Sequence, residues 1–415
     1  MAQGLGDLYA AALRGNPVLQ SREFDVERAR AESDTVRSRL LPQVMAQAGV
    51  SSSDFRDSTL DQSYGGKRAS LSARQSLYDP ATRSRLDATR AGIAQREQEL
   101  AQTRLVLFGE LLDRYLQALA AQDQSAWLAA ETQAAARQVE RLRAMRERQM
   151  ARVTDLAEAQ AYESSLATRA IDADNERAVA LARLAELSGL SVAQVPALTR
   201  TSFDAPPGDQ GTWIEAARRN HPRWLALAQT VEAAQRNVEA ARAEHMPQVA
   251  ATLSRSYADQ GFDNRRQPPY HASSLGLELR VPLYEGGRVQ ASTRDALARQ
   301  GTAERQLEAA RREVERETLS QWLSARANHA RIGSTDGEVA ALEQTVQAQE
   351  RGLELGASRI IDVLDARRRL LTARADQAKA RYDYVRDVVA MKIHSGELAA
   401  ADIARWDAWF KPAGR

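Results

Sequence analysis

The sequence predicts an internally duplicated α+β chain, in which each half combines one β-hairpin with unusually long α-helices. Three observations lead to this fold class. Short motifs recur about 205 residues apart, two pairs of segments alternate apolar and polar residues, and two segments of some 65 residues contain no proline. Strands and helices that occupy separate blocks of a chain are typical of α+β proteins.

The duplication is visible in five short motifs that keep the same order in both halves, at spacings of 205 to 207 residues. In the first half they occupy residues 16–17, 41–44, 77–79, 115–116 and 152–155. In the second half they occupy residues 221–222, 246–249, 283–285, 322–323 and 359–362. Ordered matches with so little drift indicate repeated units. The predicted organisation is a first repeat at 1–190, a linker at 191–212, a second repeat at 213–394 and a C-terminal segment at 395–415.

Each repeat begins with a helix that a proline, Pro42 or Pro247, brings to an end. A hairpin follows, recognised by alternation: Leu275, Leu277 and Leu279, for example, are separated by glycine and glutamate. The predicted elements are a helix at 18–40, a hairpin at 43–78 and helices over 82–187, and in the second repeat a helix at 223–244, a hairpin at 249–284 and helices over 289–391.

The long segments after the hairpins carry heptad spacing. Leu86, Ile93, Leu100 and Leu107 fall seven residues apart, which is typical of a coiled-coil seam. A helix of some 65 residues would be about 95–100 Å long at ~1.5 Å per residue.

Composition excludes several classes of function. The 415 residues carry a net charge of only +2, so no basic surplus indicates nucleic-acid binding. Cysteine is absent, which excludes disulfides, thiolate metal sites, a cysteine nucleophile and a lipidated cysteine. The five histidines show no metal-ligand spacing, and no catalytic motif is present. We therefore expect neither a cofactor nor enzymatic activity.

The first residues do not determine in which cellular compartment the protein is located. The first residues have neither a basic nor an apolar signal region, so either the protein is cytosolic or a signal peptide has been removed. No apolar stretch approaches the ~20 residues of a membrane-spanning helix.

The hairpins suggest how the chain assembles. Two hairpins supply four strands, whose open edges need partners. Outer-membrane barrels close such alternating strands into a cylinder. Four strands are too few, whereas three chains supply twelve strands and twelve helical segments. A plain coiled-coil spacer is the alternative for the helices, although it would have no use for alternating strands.

Several motifs resemble those of the TolC-like outer-membrane channels of type I secretion and drug efflux. They are Asn16-Pro17, LLPQ at 40–43, QSLYD at 75–79, VPLYEGG at 281–287 and LGASRIIDVLDA at 355–366. The resemblance covers nearly the whole chain. It implies a homotrimer with a twelve-stranded barrel in the outer membrane and a helical tunnel in the periplasm, docked through a periplasmic adaptor on an inner-membrane transporter. It also implies that the helix-turn-helix tips, at 148–155 and 356–365, close the tunnel.

Two carboxylates at the second tip are candidates for the constriction. Asp362 and Asp365 are three residues apart and so share one helix face. A threefold axis would gather six carboxylates, which would attract cations. The resemblance implies that this ring lines the gate; a solvated helix face is the alternative.

In the family, a network of residues at the tips holds the tunnel closed. This chain retains only some of those residues. Asp155 and Thr154 match its tip residues, but Leu353 stands at its tip tyrosine and Ser358 at its tip arginine. We therefore expect a different network here.

We predict that Arg152 or Arg359 supplies the substitute cation in this network. The family's first tip glycine is Gln149 here. The tip turns marked by Gln149, Gly356 and Ser358 are the expected adaptor-docking positions.

The favoured function is type I secretion of a protein through the outer membrane of a Gram-negative bacterium. Because it has no lipid-acceptor cysteine, the chain resembles the secretion branch of the family more than its lipidated efflux branch. The expected partners are two further copies, a periplasmic adaptor, an inner-membrane ABC transporter and outer-membrane lipid, with no nucleic acid. The alternatives are small-molecule efflux with a proton-driven pump, and a soluble coiled-coil scaffold or adaptor.

Overall fold

The computed structural model describes residues 4–56, 58, 61–259 and 268–410. Its helices are α1 (Leu5–Gly15), α2 (Pro17–Ser38), α3 (Pro80–Glu147), α4 (Val153–Ser188), α5 (Gln210–Asn220), α6 (Pro222–Ala243), α7 (Arg288–Glu354), α8 (Ile360–His394) and α9 (Ala400–Asp407). Its strands are β1 (Gln43–Arg56), β2 (Asp61–Tyr78), β3 (Gln248–Ala258) and β4 (Tyr270–Arg280). Residues 1–3 of the predicted first repeat, 57, 59 and 60 of the first hairpin, 260–267 of the second hairpin and 411–415 of the C-terminal segment lie outside the described residues.

The described residues form two compact units. The sheet unit comprises residues 22–99 and 225–310, and the helical unit comprises 4–21, 100–224 and 311–410. Each unit therefore draws on both halves of the sequence.

The sheet unit contains one antiparallel sheet with the strand order β1-β2-β3-β4. Residues directly opposite each other share a face. Val44 lies opposite Ala73, Ala73 opposite Leu253, and Leu253 opposite Leu275. This apolar face, which holds the predicted alternating apolar residues, is open: Leu275 is 82% exposed.

The other face of the sheet, the polar face, carries hydrophilic side chains. Arg74 pairs with Glu278 at 2.7 Å, and the hydroxyls of Ser254 and Ser274 are 2.7 Å apart. The predicted four alternating strands are thus confirmed. Among the described residues, β1 and β4 each pair on one side only, so both keep an open edge.

The hydrogen-bonded pairing of the strands is irregular in two places next to the helices. β4 stops at Arg280, four residues before the predicted hairpin end at 284, because Pro282 has no N–H to donate and restricts Val281. In β2 the register shifts between Ser76 and Tyr78, which breaks the alternation.

The helices that follow the hairpins are very long, as the proline-free segments predict. α3 has 68 residues and α7 has 67. Both are rich in alanine, leucine, glutamate, glutamine and arginine, which cost little in a helix.

The helical unit has its own aromatic core, closed by the C-terminal segment. Phe108 and Tyr115 of α3 are fully buried, together with Leu8 of α1. Trp406 stacks on Phe108 at 6.0 Å between ring centroids, and Phe410 meets Tyr115 edge-on at 5.0 Å. Packing by the tail therefore stabilises α1 and α3.

The two repeats begin α2 and α6 with different capping residues. The Asn16 side-chain oxygen accepts the N–H groups of Val18 at 2.9 Å and Leu19 at 3.1 Å. At the equivalent position, Nδ1 of His221 accepts the N–H of Arg223 at 3.2 Å. Because a protonated Nδ1 cannot accept, this cap requires a neutral imidazole.

His221 is also packed against the end of α8. Its ring stacks on His394 with centroids 6.2 Å apart, and Nδ1 of His394 is 3.9 Å from a Glu317 carboxylate oxygen. Gly396 (φ +69°) allows the chain to pass here, since a Cβ would lie 2.3 Å from the carbonyl oxygen of Asn220. The two histidines are thus enclosed in a tightly packed junction.

Candidate functional site

The predicted tips are two helix-helix turns of the helical unit. The first turn joins α3 to α4. Gln149 has φ +59°, and it is the one non-glycine residue in the described chain with a left-handed backbone. Its N–H donates to the Arg146 carbonyl at 2.8 Å, and the N–H of Met150 donates to Met145 at 2.9 Å. A glutamine thus adopts the helix-ending conformation that usually requires glycine.

The second turn joins α7 to α8 and uses glycine at the corresponding place. Gly356 has φ +74°. The N–H groups of Ala357 and Ser358 both donate to the Gly352 carbonyl, at 2.8 and 3.1 Å. Ser358 also lies tightly over Gly352, where an added Cβ would be 2.3 Å from its hydroxyl oxygen. Ser358 is therefore part of the turn's packing.

The structure pairs both predicted constriction carboxylates with arginines at the start of α8. Asp362 accepts the N–H of Arg359 at 3.0 Å and lies 3.5 Å from its Nε. Asp365 lies 3.5 Å from a guanidinium nitrogen of Arg368. Their side chains remain 39% and 48% exposed. Asp362 thus caps α8, and both carboxylates carry a neighbouring cation that reduces their net negative charge.

The other predicted gate residues stand at the start of α4. Arg152 is the N-cap residue, without a side-chain cap, and Asp155 lies in the first turn. Arg152 and Thr154 are exposed and Asp155 is half-buried. Within the described ranges none of the three has an ion pair, and Arg359 pairs with Asp362 rather than Asp155. A closed-state network through these residues stays a prediction.

A second charged group near the turns, which the sequence reasoning missed, connects four helices. Arg367 of α8 pairs with Glu350 of α7 at 2.5 Å and with Glu131 of α3 at 3.4 Å. The hydroxyl of Tyr162 in α4 donates to Glu131 at 3.3 Å. We call these four residues the four-helix network.

The network is partly screened from water. The side chains of Arg367 and Glu131 are 26% and 20% exposed. Burial, together with the charge of Glu131, raises the pKa of Tyr162 to about 12. Opposite charges in such a setting attract more strongly than on an open surface. The network therefore holds α3, α4, α7 and α8 to one another.

Apolar packing between the network and the turns reinforces this connection. Leu142 of α3, Leu156 of α4 and Ile360 and Leu364 of α8 are all buried in one cluster, and Leu353 of α7 packs against it. The resemblance implies that Leu353 takes the place of the family's tip tyrosine. If so, an apolar contact replaces a polar partner at this position.

In the described ranges, no group of three or more histidine, aspartate or glutamate side chains is placed to hold a metal ion. None of the helices in those ranges is long and apolar enough to span a membrane.

The chain matches known proteins over almost its entire length. The family model described as "Outer membrane efflux protein" matches residues 8–190 and 213–397. The outer membrane protein TolC of Vibrio cholerae is 28% identical over 99% of this chain and 95% of its own. The alkaline protease secretion protein AprF of Pseudomonas aeruginosa is 27% identical over 97% of this chain and 86% of its own.

The fold is also found in a solved structure. The outer-membrane channel OprN has a TM-score of 0.82 and 21% identity, and the match covers 95% of this chain and 90% of that one. The predicted α+β fold class with its long helices is confirmed. The prediction of a non-enzymatic protein is confirmed too, because the matches are to outer-membrane efflux and secretion proteins. The protein is located in the outer membrane, and the chain belongs to the outer membrane efflux protein family.

Proposed function

We propose that three copies of the chain form a channel through the outer membrane, continued by a helical tunnel in the periplasm. The observation that carries this proposal is the sheet, with one exposed apolar face, one polar face and an open edge on both β1 and β4. A membrane leaves no backbone group unpaired, so such a sheet must close. Twelve strands from three copies form a barrel with a polar lumen.

The proposed cargo is a protein, exported by type I secretion. The similarity to AprF, whose name describes alkaline protease secretion, supports this choice. The partners would be an inner-membrane ABC transporter and a periplasmic adaptor. The adaptor would dock at the two turns, where Gln149, Gly356 and Ser358 are located.

We place the gate of this channel at the turns. Asp362 and Asp365, repeated by the threefold axis, would line the constriction, with Arg152, Thr154, Asp155 and Arg359 around it. The four-helix network would hold the closed state, because the separation of the helix pairs breaks its ion pairs.

Export of small molecules with a proton-driven pump is the second candidate, favoured by the description of the matching family as efflux proteins. The soluble scaffold is not supported, since the family is located in the outer membrane.

Deletion of the gene in the source bacterium tests the proposal. We expect at least one protein to disappear from the culture medium while drug susceptibility stays unchanged. The wild-type gene and Ser274→Arg on the polar face should restore secretion. Leu277→Arg on the apolar face should not, because a cation facing lipid costs about 2–4 kcal/mol at mid-membrane.

Increased drug susceptibility with an unchanged secreted protein pattern would favour small-molecule efflux. Normal export of both proteins and drugs would contradict the channel altogether.

A further inference from the structure

One arginine lies on the apolar face of the sheet. Arg255 of β3 is opposite Leu71 of β2 on one side and Ser273 of β4 on the other. Leu253 and Tyr257, two residues away on the same strand, share this face. Arg255 is exposed, and the described part of the chain gives it neither an ion pair nor a side-chain hydrogen bond. On a face turned towards lipid, an unpaired cation would be stabilised by a partner outside the chain.

The position along the strands explains how a cation is tolerated. The next row towards the hairpin loops holds Tyr257 and His271, whose rings are 5.0 Å apart. Amphipathic rings are typical of the boundary between lipid and water. Arg255 therefore lies where the apolar surface ends.

The height of the apolar surface agrees with this position. From Leu279 to Ser273 the strand advances six residues, or about 16 Å of height at ~3.4 Å per residue and a tilt of ~40°. On the helical side the apolar run continues to Leu283, which is 93% exposed. Together these segments approach the ~25 Å of an outer-membrane apolar band. The Arg255 row is at the outer limit of the band.

Neighbouring charges single out Arg255. Lys67 is also on this face, two rows further out, but Asp259 lies opposite it and donates its N–H to the Lys67 carbonyl at 2.8 Å. No carboxylate occupies the positions beside Arg255, which are Leu71 and Ser273. A guanidinium group binds phosphate with two parallel hydrogen bonds.

We propose that Arg255 binds a phosphate of the phosphorylated glycolipid in the outer leaflet, with its acyl chains against the leucines of the apolar face. This inference rests on the proposed function, since it takes the sheet to be a barrel whose hairpin loops face outwards. A trimer has three such sites. Lys67 strengthens the local positive potential but is not the primary ligand.

The test measures lipid A binding to purified trimers in neutral detergent by native mass spectrometry. The probes are lipid A with both phosphates and lipid A from which the phosphates have been removed. We expect up to three bound molecules of the phosphorylated form, and at least 10-fold weaker binding of the other. Arg255→Gln should weaken binding of the phosphorylated form about 10-fold, and Arg255→Lys less than Arg255→Gln.

Arg280→Gln is the matched control. Arg280 is an exposed arginine of β4 on the polar face, 3.4 Å from Glu278, so its loss should not change lipid A binding. Equal binding of both lipids by wild-type trimers would overturn the inference even if Arg255→Gln failed to assemble. Equal loss in Arg255→Gln and Arg280→Gln would overturn it as well. Trimers that conduct ions but bind both forms of lipid A equally would contradict only this inference. A chain that forms no trimer would contradict the proposed function.

Discussion

Replacement of Arg367 by methionine should open the channel. Methionine replaces the apolar stem of the arginine side chain but removes the cation that joins Glu131 and Glu350. Among the described residues, Glu131 would then retain only the Tyr162 hydroxyl as a partner in its half-buried site. The closed state therefore loses one charged connection between α8 and the helices α3 and α7.

The size of the effect follows from the burial of the network. Exposed ion pairs contribute about 0.2–1 kcal/mol, and loss of one partner of a buried pair costs about 3–5 kcal/mol. With Arg367 26% and Glu131 20% exposed, we expect about 1.5 kcal/mol per chain. That corresponds to a roughly 10-fold shift towards the open state per chain. If three chains open together and their effects add, the shift approaches 1000-fold.

The assay is single-channel recording in planar bilayers, with the fraction of time spent open as the readout. Arg374→Met is the matched control, because Arg374 joins α8 to Glu343 of α7 at 2.8 Å with both side chains more than 40% exposed. It should change the open fraction far less, by about 3-fold if each of three chains loses ~0.2 kcal/mol, the low end for an exposed pair. Glu350→Gln combined with Arg367→Met should add little to Arg367→Met alone. An open fraction for Arg367→Met equal to that of Arg374→Met would refute the role of the network.

Three further outcomes are expected. Gln149→Gly should raise the free energy of unfolding by about 0.5–1 kcal/mol, because a left-handed backbone strains glutamine. Gly356→Gln should lower the free energy of unfolding by a similar amount. Unfolding in denaturant measures both changes. Burial lowers the pKa of His221 from 6.5 to about 4 and also lowers that of His394, so the unfolded chain binds protons first as the pH falls. The stability is fully present above pH ~6.5 and decreases by about 2 kcal/mol per chain towards pH 5, and thermal melting of His221→Asn should show much less of this loss. Asp365→Asn should reduce cation selectivity in bilayer recordings, since it removes three carboxylates from the proposed constriction.

A specific result would contradict each of these three predictions. Equal stability of wild type, Gln149→Gly and Gly356→Gln would show that the turns are not strained. Arg223 faces His221 and Glu317 faces His394. A loss of stability in acid that persists in His221→Asn would show that other groups cause it. Unchanged selectivity in Asp365→Asn would indicate that this carboxylate is part of a solvated helix face.

Local patterns made the fold predictable. The alternation around Leu275 places one side chain after another on opposite faces, and the pairing of Val44 with Ala73 and of Leu253 with Leu275 follows it. The long helices follow from the absence of proline. Where the strand prediction failed, at the end of β4, a second local rule was stronger, because Pro282 interrupts the ladder.

The candidate site was only partly predictable, because some of its contacts join residues that are far apart in the sequence. Arg359 and Asp362 are three residues apart, so their pairing is local. Glu131 and Arg367 are 236 residues apart, and each looks like any solvated charge of a long helix. Their meeting depends on how four helices pack, which no periodicity in one helix determines. The resemblance located Gln149 at the first tip turn, but its left-handed backbone was not predicted, because glutamine rarely adopts that conformation.

The closure of the sheet between copies can be measured directly, because the chain contains no cysteine of its own. Ala46→Cys on β1 is combined in turn with cysteine at Leu275, Leu277 or Leu279 on β4, and membranes are oxidised. Within one sheet, β1 and β4 are separated by two strands, about 14 Å, which a disulfide cannot bridge. We predict that at least one combination yields a covalent trimer. A chain that remains a monomer in all three combinations would contradict the barrel.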